Sequence, residues 1–492
     1  MLFNSYIFVL FFLPCCIGVY FALNRMEKPK MAMCFLLGMS LWFYGFFNPS
    51  YLLIICTSIV INYLFYRIMR RCRAASGGKT LGMKLLLVVA LLLNVGLLFY
   101  FKYFDFFIEN INILFRTDFM LRHIMLPLGI SFFTFQQLSF VIDAYKGELP
   151  DYQFIDYACF VTYFPQLVAG PIVTHDELVP QFMDQSKKRF NWDNFAQGLY
   201  AFVMGLAKKV LLADVLGVAV NWGFGNIEGL DAVEAVIVTF AYTMQIYFDF
   251  SGYCDMAIGM AKMMNIDLPL NFDSPYKALD IREFWDRWHK TLTRFFTNYI
   301  YIPLGGSRRG ALRTYLNIMI VYLVSGIWHG ANWTFIFWGI CHGLFCVLTR
   351  HFDRFFKKLP PVLGWLLTFV FVNVMWIFFR ADSIADAFVI LRKIGSLSAD
   401  GINPDLVNCF VTAEWKLVFT KLLRTDFVKN FPTIIMGATL LIPFATVLGM
   451  DNVYERMCRL KPTFLKAIII AAVLVLCICS FSGVSTFLYF NF

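Results

Sequence analysis

Charge is what this sequence has least of. Asp, Glu, Lys and Arg together make up 15% of its 492 residues, where a water-soluble globule carries about 25%. It also has no Gly/Ser linker, no low-complexity tract and no internal repeat to divide one part from another. Its 13 cysteines form no CxxC pair and no His/Cys set at zinc spacing, so neither a disulfide framework nor a metal site is indicated. There is no Gly-x-Ser-x-Gly elbow, no HExxH and no Walker-type loop. These absences exclude a soluble globule, a zinc module and the common hydrolase and nucleotide-binding designs.

Apolar residues fill the space: 60% of the chain is hydrophobic and 18% aromatic, which is the composition of an all-α polytopic membrane protein. A spanning helix needs about 20 mostly apolar residues. Candidate spans lie at 2–23, 31–47, 50–66, 83–104, 120–142, 195–222, 232–261, 312–331, 332–350, 362–380, 432–449 and 464–482. The first run lacks a basic leader and a small-residue cleavage site, so it reads as a span and not as a cleaved signal. The net charge of +10 sits at segment ends, in Arg67, Arg70, Arg71, Arg73 and Lys79 and again in Arg350, Arg354, Lys357 and Lys358. Such clusters follow the positive-inside bias. They make the lipid bilayer the expected partner and leave no case for nucleic acid. Arg25, Lys28 and Lys30 after the first span place that loop in the cytoplasm, and the alternation predicts both termini outside.

Two segments read as non-spanning. Tyr157–Thr174 holds Pro165, Gly170 and Pro171, which interrupt helix geometry and predict a re-entrant segment, with a kinked helix as the other reading. In Asp280–Asn298, Ile281, Phe284, Trp285, Trp288, Leu292 and Phe295 recur at three- and four-residue steps, which predicts one amphipathic interfacial helix. Opposite charges at Arg282/Asp286, Glu283/Arg287 and Asp286/Lys290 would then pair at i,i+4. Asp382–Leu397 and Glu414–Phe427 read as further surface helices. The simplest organisation is one integral membrane domain over 1–492, with a catalytic core at about 120–350 and C-terminal spans and tail at 362–492.

The chain is organised around Ser325-Gly326-Ile327-Trp328-His329-Gly330-Ala331-Asn332-Trp333. Within this long apolar run the ionisable side chain is an imidazole, costly to bury unless bonded and able to trade a proton near neutral pH. Gly326 and Gly330 clear one helical face, either for another backbone or for an acyl chain. Ser325, one turn before His329, is a weaker nucleophile candidate because no acid stands nearby to orient the histidine. Trp328 and Asn332 are candidate supporting groups, and His342 a candidate neighbour. A second polar island, Tyr247–Asp255, carries Asp249, Ser251 and Asp255 beside Gln245. Its acids are expected either to fix helix packing or to pair with Arg282, Arg287 or a histidine along a polar path.

Four stretches together resemble the membrane-bound O-acyltransferase family: WHGANW at Trp328–Trp333, YFDFSGYCDMAIG at Tyr247–Gly259, SPYKALDIREFWDRWH at Ser274–His289 and FPQLVAGPIV at Phe164–Val173. Within the family the chain is most similar to the bacterial alginate and peptidoglycan O-acetyltransferase membrane subunits. The resemblance implies a ring of ~11–12 tilted helices, each about 20 residues long, around a central funnel. It implies that His329 is the catalytic histidine and His289 the second characteristic one. It further implies a thioester donor on the cytoplasmic side, acetyl-CoA or an acyl carrier, with no bound cofactor or metal. An extracytoplasmic acetyltransferase partner acting on polysaccharide and residence in the bacterial cytoplasmic (inner) membrane follow in the same way. The Phe487–Phe492 tail looks like the branch's C-terminal aromatic motif, with Tyr489 as a transient acyl acceptor. Transfer of D-alanine to teichoic acid, or a transporter using Asp249 and Asp255, are the alternatives.

Overall fold

A computed structural model describes residues 1–399, 401–416, 420–421, 424–481 and 487–488, and among these the regular structure is helical, with no strand. Among the described residues, seven helices are long and apolar enough to cross a bilayer: Phe8–Arg25, Ser50–Ser76, Leu81–Phe115, Ala311–His329, Trp333–His351, Pro361–Arg380 and Pro432–Gly449. Pro29–Gly45 and Phe464–Cys479 are shorter apolar helices at two further predicted spans. By contacts the chain divides into two compact units, Met1–Phe202 with Met256–Pro269, and Val203–Asp255 with Leu270–Phe492.

In the first unit, aromatic rings lock the N-terminal helices together. Phe12 stacks on Phe8 at 5.3 Å and meets Phe164 edge-on at 5.3 Å. Neutral amides join three helices where apolar packing alone gives little specificity. Asn94 donates to Asn62 Oδ1 at 2.7 Å, Ser58 donates to Gln137 Oε1 at 3.0 Å, and Asn62 Nδ2 reaches the same Gln137 oxygen. The predicted span at 120–142 does not form as one helix. Its first part is irregular, and the helix starts only at Ile130, beyond Pro127, and runs to Lys146. That helix is buried almost all round, which explains an apolar run without a lipid-facing side.

The predicted interruption at Tyr157–Thr174 is present. Phe154–Thr162 ends at Tyr163, whose ψ of 108° leaves the helical region, and a four-residue helix Phe164–Leu167 follows. Gln166 closes the break by donating from Nε2 to the Phe160 carbonyl at 3.0 Å. A single kinked helix is therefore not what forms.

In the second unit, the Ala311–His329 and Trp333–His351 helices make a tight hairpin. Gly326 and Gly339 are its contact points: a Cβ added to Gly339 would sit 3.1 Å from the Gly326 Cα. The clear face at Gly326 thus admits another backbone, which decides between the two readings of that glycine. Asn332 caps the second helix, its Oδ1 accepting from Thr334 N at 3.0 Å while its Nδ2 donates to the Asp382 carbonyl at 2.9 Å. The predicted surface helix after Phe379 forms as Ile384–Ser396, capped by Ser383. Over the stretch predicted as Glu414–Phe427, residues 417–419 and 422–423 lie outside the described residues, and short helices Ala413–Lys416 and Phe427–Asn430 stand at its two ends.

Candidate active site

The stretch expected as one amphipathic helix over Asp280–Asn298 is broken at the residue of interest. Asp280 starts a first helix, Ile281–Arg287, by accepting from Arg282 N and Glu283 N at 2.8 and 2.9 Å. Trp288 is then extended, and His289 takes a left-handed conformation at φ 47°, ψ 50°, before a second helix, Lys290–Phe296. A non-glycine residue pays of order 1–2 kcal/mol for this conformation, although histidine tolerates it better than most. The chain preceding the helix supplies what the break removes. Lys290 N donates to the Asn271 carbonyl at 3.0 Å, and Asp273 N to the Arg287 carbonyl at 2.9 Å.

The break also redirects the expected charge pairs. Glu283 and Arg287 do pair, at 2.8 Å. Arg282 instead binds Asp280 and Asp353 at 3.1 and 2.8 Å, and Lys290 turns to Asp273 at 3.3 Å. Asp286 is left out of both predicted partnerships.

Asn271 fixes the His289 ring and its tautomer. Asn271 Oδ1 lies 3.1 Å from His289 Nδ1 and also accepts from Thr291 N at 3.2 Å and Thr291 Oγ1 at 2.9 Å. Backbone N–H groups can only donate, so Oδ1 is the acceptor throughout and His289 Nδ1 carries the proton. Its Nε2 is therefore the basic nitrogen. The ring is fully buried, and burial pushes its pKa down to about 3, so the imidazole is neutral.

His329 reaches the same place from the end of a regular helix. It is 3% exposed, with Gly330 extended behind it. His289, Trp328, His329, Trp338 and His342 pack ring to ring in that order, with centroids 6.2, 4.8, 5.1 and 4.6 Å apart. Phe250 closes the His289 end edge-on at 4.8 Å, and Phe379 lies 5.1 Å from His329. His342 accepts at Nδ1 from the Trp285 indole N–H at 3.2 Å, which leaves its Nε2 as the protonated nitrogen. Beside this chain of rings is a cavity of about 280 Å³ lined by Trp285, Tyr322, Ser325 and Cys346, with Arg282 and Arg350 among its walls.

The fold brings together some of the residues singled out in the sequence and not others. His289, Trp328 and His329 meet, with His342 one ring further on. Ser325 is buried one turn from His329 and lines the cavity. Asn332 is taken up in capping its helix. The acids of the second island pair neither with Arg282, Arg287 nor with a histidine. Lys208 lies 2.6 Å from Asp255 and 3.3 Å from Ser251 Oγ, and Lys209 lies 2.6 Å from Asp249 and 2.7 Å from Asp214. Both lysines sit on the π-helical segment Lys208–Ala213, and Gly252 lets it approach: a Cβ there would be 2.8 Å from the Gly205 carbonyl. Gln245, on the Ala232–Met263 helix with Asp249 and Asp255, is buried against Gly217 of the Asp214–Gly225 helix. Tyr489 lies outside the described residues. Two other histidines bond elsewhere, His175 with Tyr152 and His351 with Tyr315, each at 3.2 Å.

Sequence reasoning missed Lys208, Lys209, Asn271 and Trp338. For the lysines the signal was present, since two cations inside an apolar run demand partners as firmly as two acids do. Asn271 carries no periodicity or spacing that marks it, and only the folded loop gives it meaning.

Residues 79–384 match the membrane-bound O-acyltransferase family model. Over all of its length the chain is 38% identical to the peptidoglycan O-acetyltransferase of Helicobacter pylori, of which 98% is covered. It is 36% identical to the probable alginate O-acetylase AlgI of Pseudomonas aeruginosa over 79% of this chain and 74% of that protein. The teichoic acid D-alanyltransferase of Bacillus subtilis is more remote, at 26% identity over 50% of this chain and 66% of its own. A helical multi-pass architecture, the family match and similarity to O-acetyltransferases along the whole length lead to one conclusion: this chain belongs to the membrane-bound O-acyltransferase family and is an O-acyltransferase.

Proposed function

We propose that the protein takes an acetyl group from a cytoplasmic thioester, acetyl-CoA or an acyl carrier, and passes it across the membrane for O-acetylation of an extracytoplasmic polysaccharide. The observation that carries this reading is the pairing of His289 and His329 about the Trp328 ring. Like its similar relatives it acts on a cell-envelope glycan of the peptidoglycan or alginate class. It resides in the bacterial cytoplasmic membrane with both termini outside, and an extracytoplasmic acetyltransferase completes delivery to the polymer.

His329 is the general base. It removes the proton of an acceptor hydroxyl as the oxygen forms a bond to the thioester carbonyl carbon, and returns that proton to the thiolate when the C–S bond breaks. His289 has a different part. With Nδ1–H given to Asn271, its Nε2 accepts and does not donate, so it orients a hydroxyl and does not polarise the carbonyl. The indole N–H of Trp328 suits the developing oxyanion better. Tyr489 is the first acceptor and carries the acetyl group outward. Asp249, Ser251, Asp255 and Gln245 support the site through the lysine pairs, and Ser325 and Asn332 through packing and capping.

The test is transfer of label from radiolabelled acetyl-CoA to the purified protein, comparing the parent with His329→Ala and Tyr489→Phe. Label on the parent and on neither variant is the expected result. Loss in His329→Ala alone would retain the base and remove the relay. Equal labelling of all three would overturn the site.

A further inference from the structure

The buried charges at Asp249 and Lys209 have a use that helix packing does not require. Asp249 is 2% exposed and Lys209 1%, and the lysine already has a second carboxylate in Asp214. The outer oxygen of Asp249 faces the C-terminal tail. Asp249 Oδ2 accepts from the backbone N–H of Leu488 at 2.9 Å, while Oδ1 takes Lys209 at 2.6 Å. The residue before Leu488 is held by the same group of side chains. Phe487 is 1% exposed, its ring lies 4.7 Å beneath the Lys209 ammonium, and Tyr253 meets it edge-on at 4.6 Å.

We propose that the Lys209–Asp249 pair is a latch that docks the C-terminal tail at residues 487–488. A carboxylate accepting from a lysine and from a main-chain amide makes two charge-assisted bonds that no apolar pair can replace. The cation over Phe487 adds side-chain selectivity to a backbone contact that any residue but proline can make. The latch also lies in register with the histidines. Tyr253 holds Phe487, and Phe250, three residues earlier on the same helix, packs on His289. Tail and histidine therefore meet one helix less than a turn apart. This extends the Proposed function, since a relay at Tyr489 needs its neighbour Leu488 held in place.

Hydrogen–deuterium exchange of the C-terminal peptide in the full-length, detergent-purified protein tests the latch directly. Leu488→Pro removes the donor and leaves the ion pair intact, Leu488→Ala keeps the donor, and Asp249→Asn removes the charge. Tail exchange in Leu488→Pro and Asp249→Asn is expected to rise roughly 10- to 100-fold over the parent, with Leu488→Ala close to it. If Asp249→Asn does not fold, the two Leu488 variants decide. Unchanged tail exchange in Leu488→Pro would overturn the latch. Acetyl transfer separates this from the relay: with the latch right and the relay right, Leu488→Pro lowers kcat and leaves the donor KM alone. Freed exchange with unchanged kcat keeps the latch and removes the relay.

Discussion

His289 and His329 enter one aromatic cluster by opposite routes. His329 ends a regular helix, and its position follows from the close approach of two helices at Gly326 and Gly339. His289 sits where a helix fails, in a left-handed turn held by Asn271 from a loop 18 residues earlier in the chain. A histidine at a helix end is placed by packing and tolerates local change poorly only through its neighbour helix. One in a strained turn is placed by hydrogen bonds, and those fix its tautomer as well as its position. The difference predicts that His329 is set for proton transfer and His289 for orientation.

The largest break in this comparison comes from the rings themselves. His329→Ala is expected to lower acetyl transfer by roughly 10²–10⁴-fold, the usual contribution of a general base. His289→Gly keeps the left-handed turn without strain but empties a buried ring position, so the thermal midpoint should fall, while transfer should fall less than in His329→Ala. Equal losses in kcat would end the division of roles.

Asn271→Leu comes next. It strands His289 Nδ1–H, Thr291 N–H and the Thr291 hydroxyl, and each buried donor without a partner costs about 1–3 kcal/mol. Thermal unfolding should show the loss, and Asn271→Asp, which keeps the acceptor, should recover part of it. On the other route, Gly326→Val forces the hairpin apart, with a cost of about 1–3 kcal/mol expected for overpacking. The same unfolding experiment checks it, and activity should fall with stability there instead of separately.

The remaining effect is the dependence on pH. Burial holds the folded His289 pKa at about 3 against 6.5 for an ordinary histidine. Between those values the unfolded chain binds a proton that the folded chain refuses, so stability rises with pH across this window and is lost on acidification. His289→Gln should flatten that slope in thermal midpoints taken from pH 4 to 7. An unchanged slope would assign it to other groups.

Some of this was legible without coordinates. Apolar runs of spanning length gave the class, because a bilayer accepts backbone only when its hydrogen bonds are met internally. Two prolines and a glycine marked the break near Tyr163. The Trp328–Trp333 stretch stood out because an imidazole buried among apolar residues needs a reason. At Asp280–Asn298 the reading failed: the apolar stripe is continuous, and nothing in its period reveals that Asn271 and Asp273 take over two backbone bonds at Trp288–His289. The 120–142 span failed for a related reason, since hydropathy does not separate a lipid-facing helix from a buried one that starts late.

The sequence by itself determined that the chain is helical and that it crosses a membrane, and it singled out His329 as a candidate, because composition, period and the cost of burying an imidazole are local properties. Only the tertiary structure decided that His289 is neutral with its proton on Nδ1, that Lys208 and Lys209 and not an arginine neutralise Asp255 and Asp249, and that Phe487 and Leu488 dock on that pair. Those outcomes depend on which groups far apart in the chain come within about 3 Å of one another, the range at which a hydrogen bond forms and selects a partner.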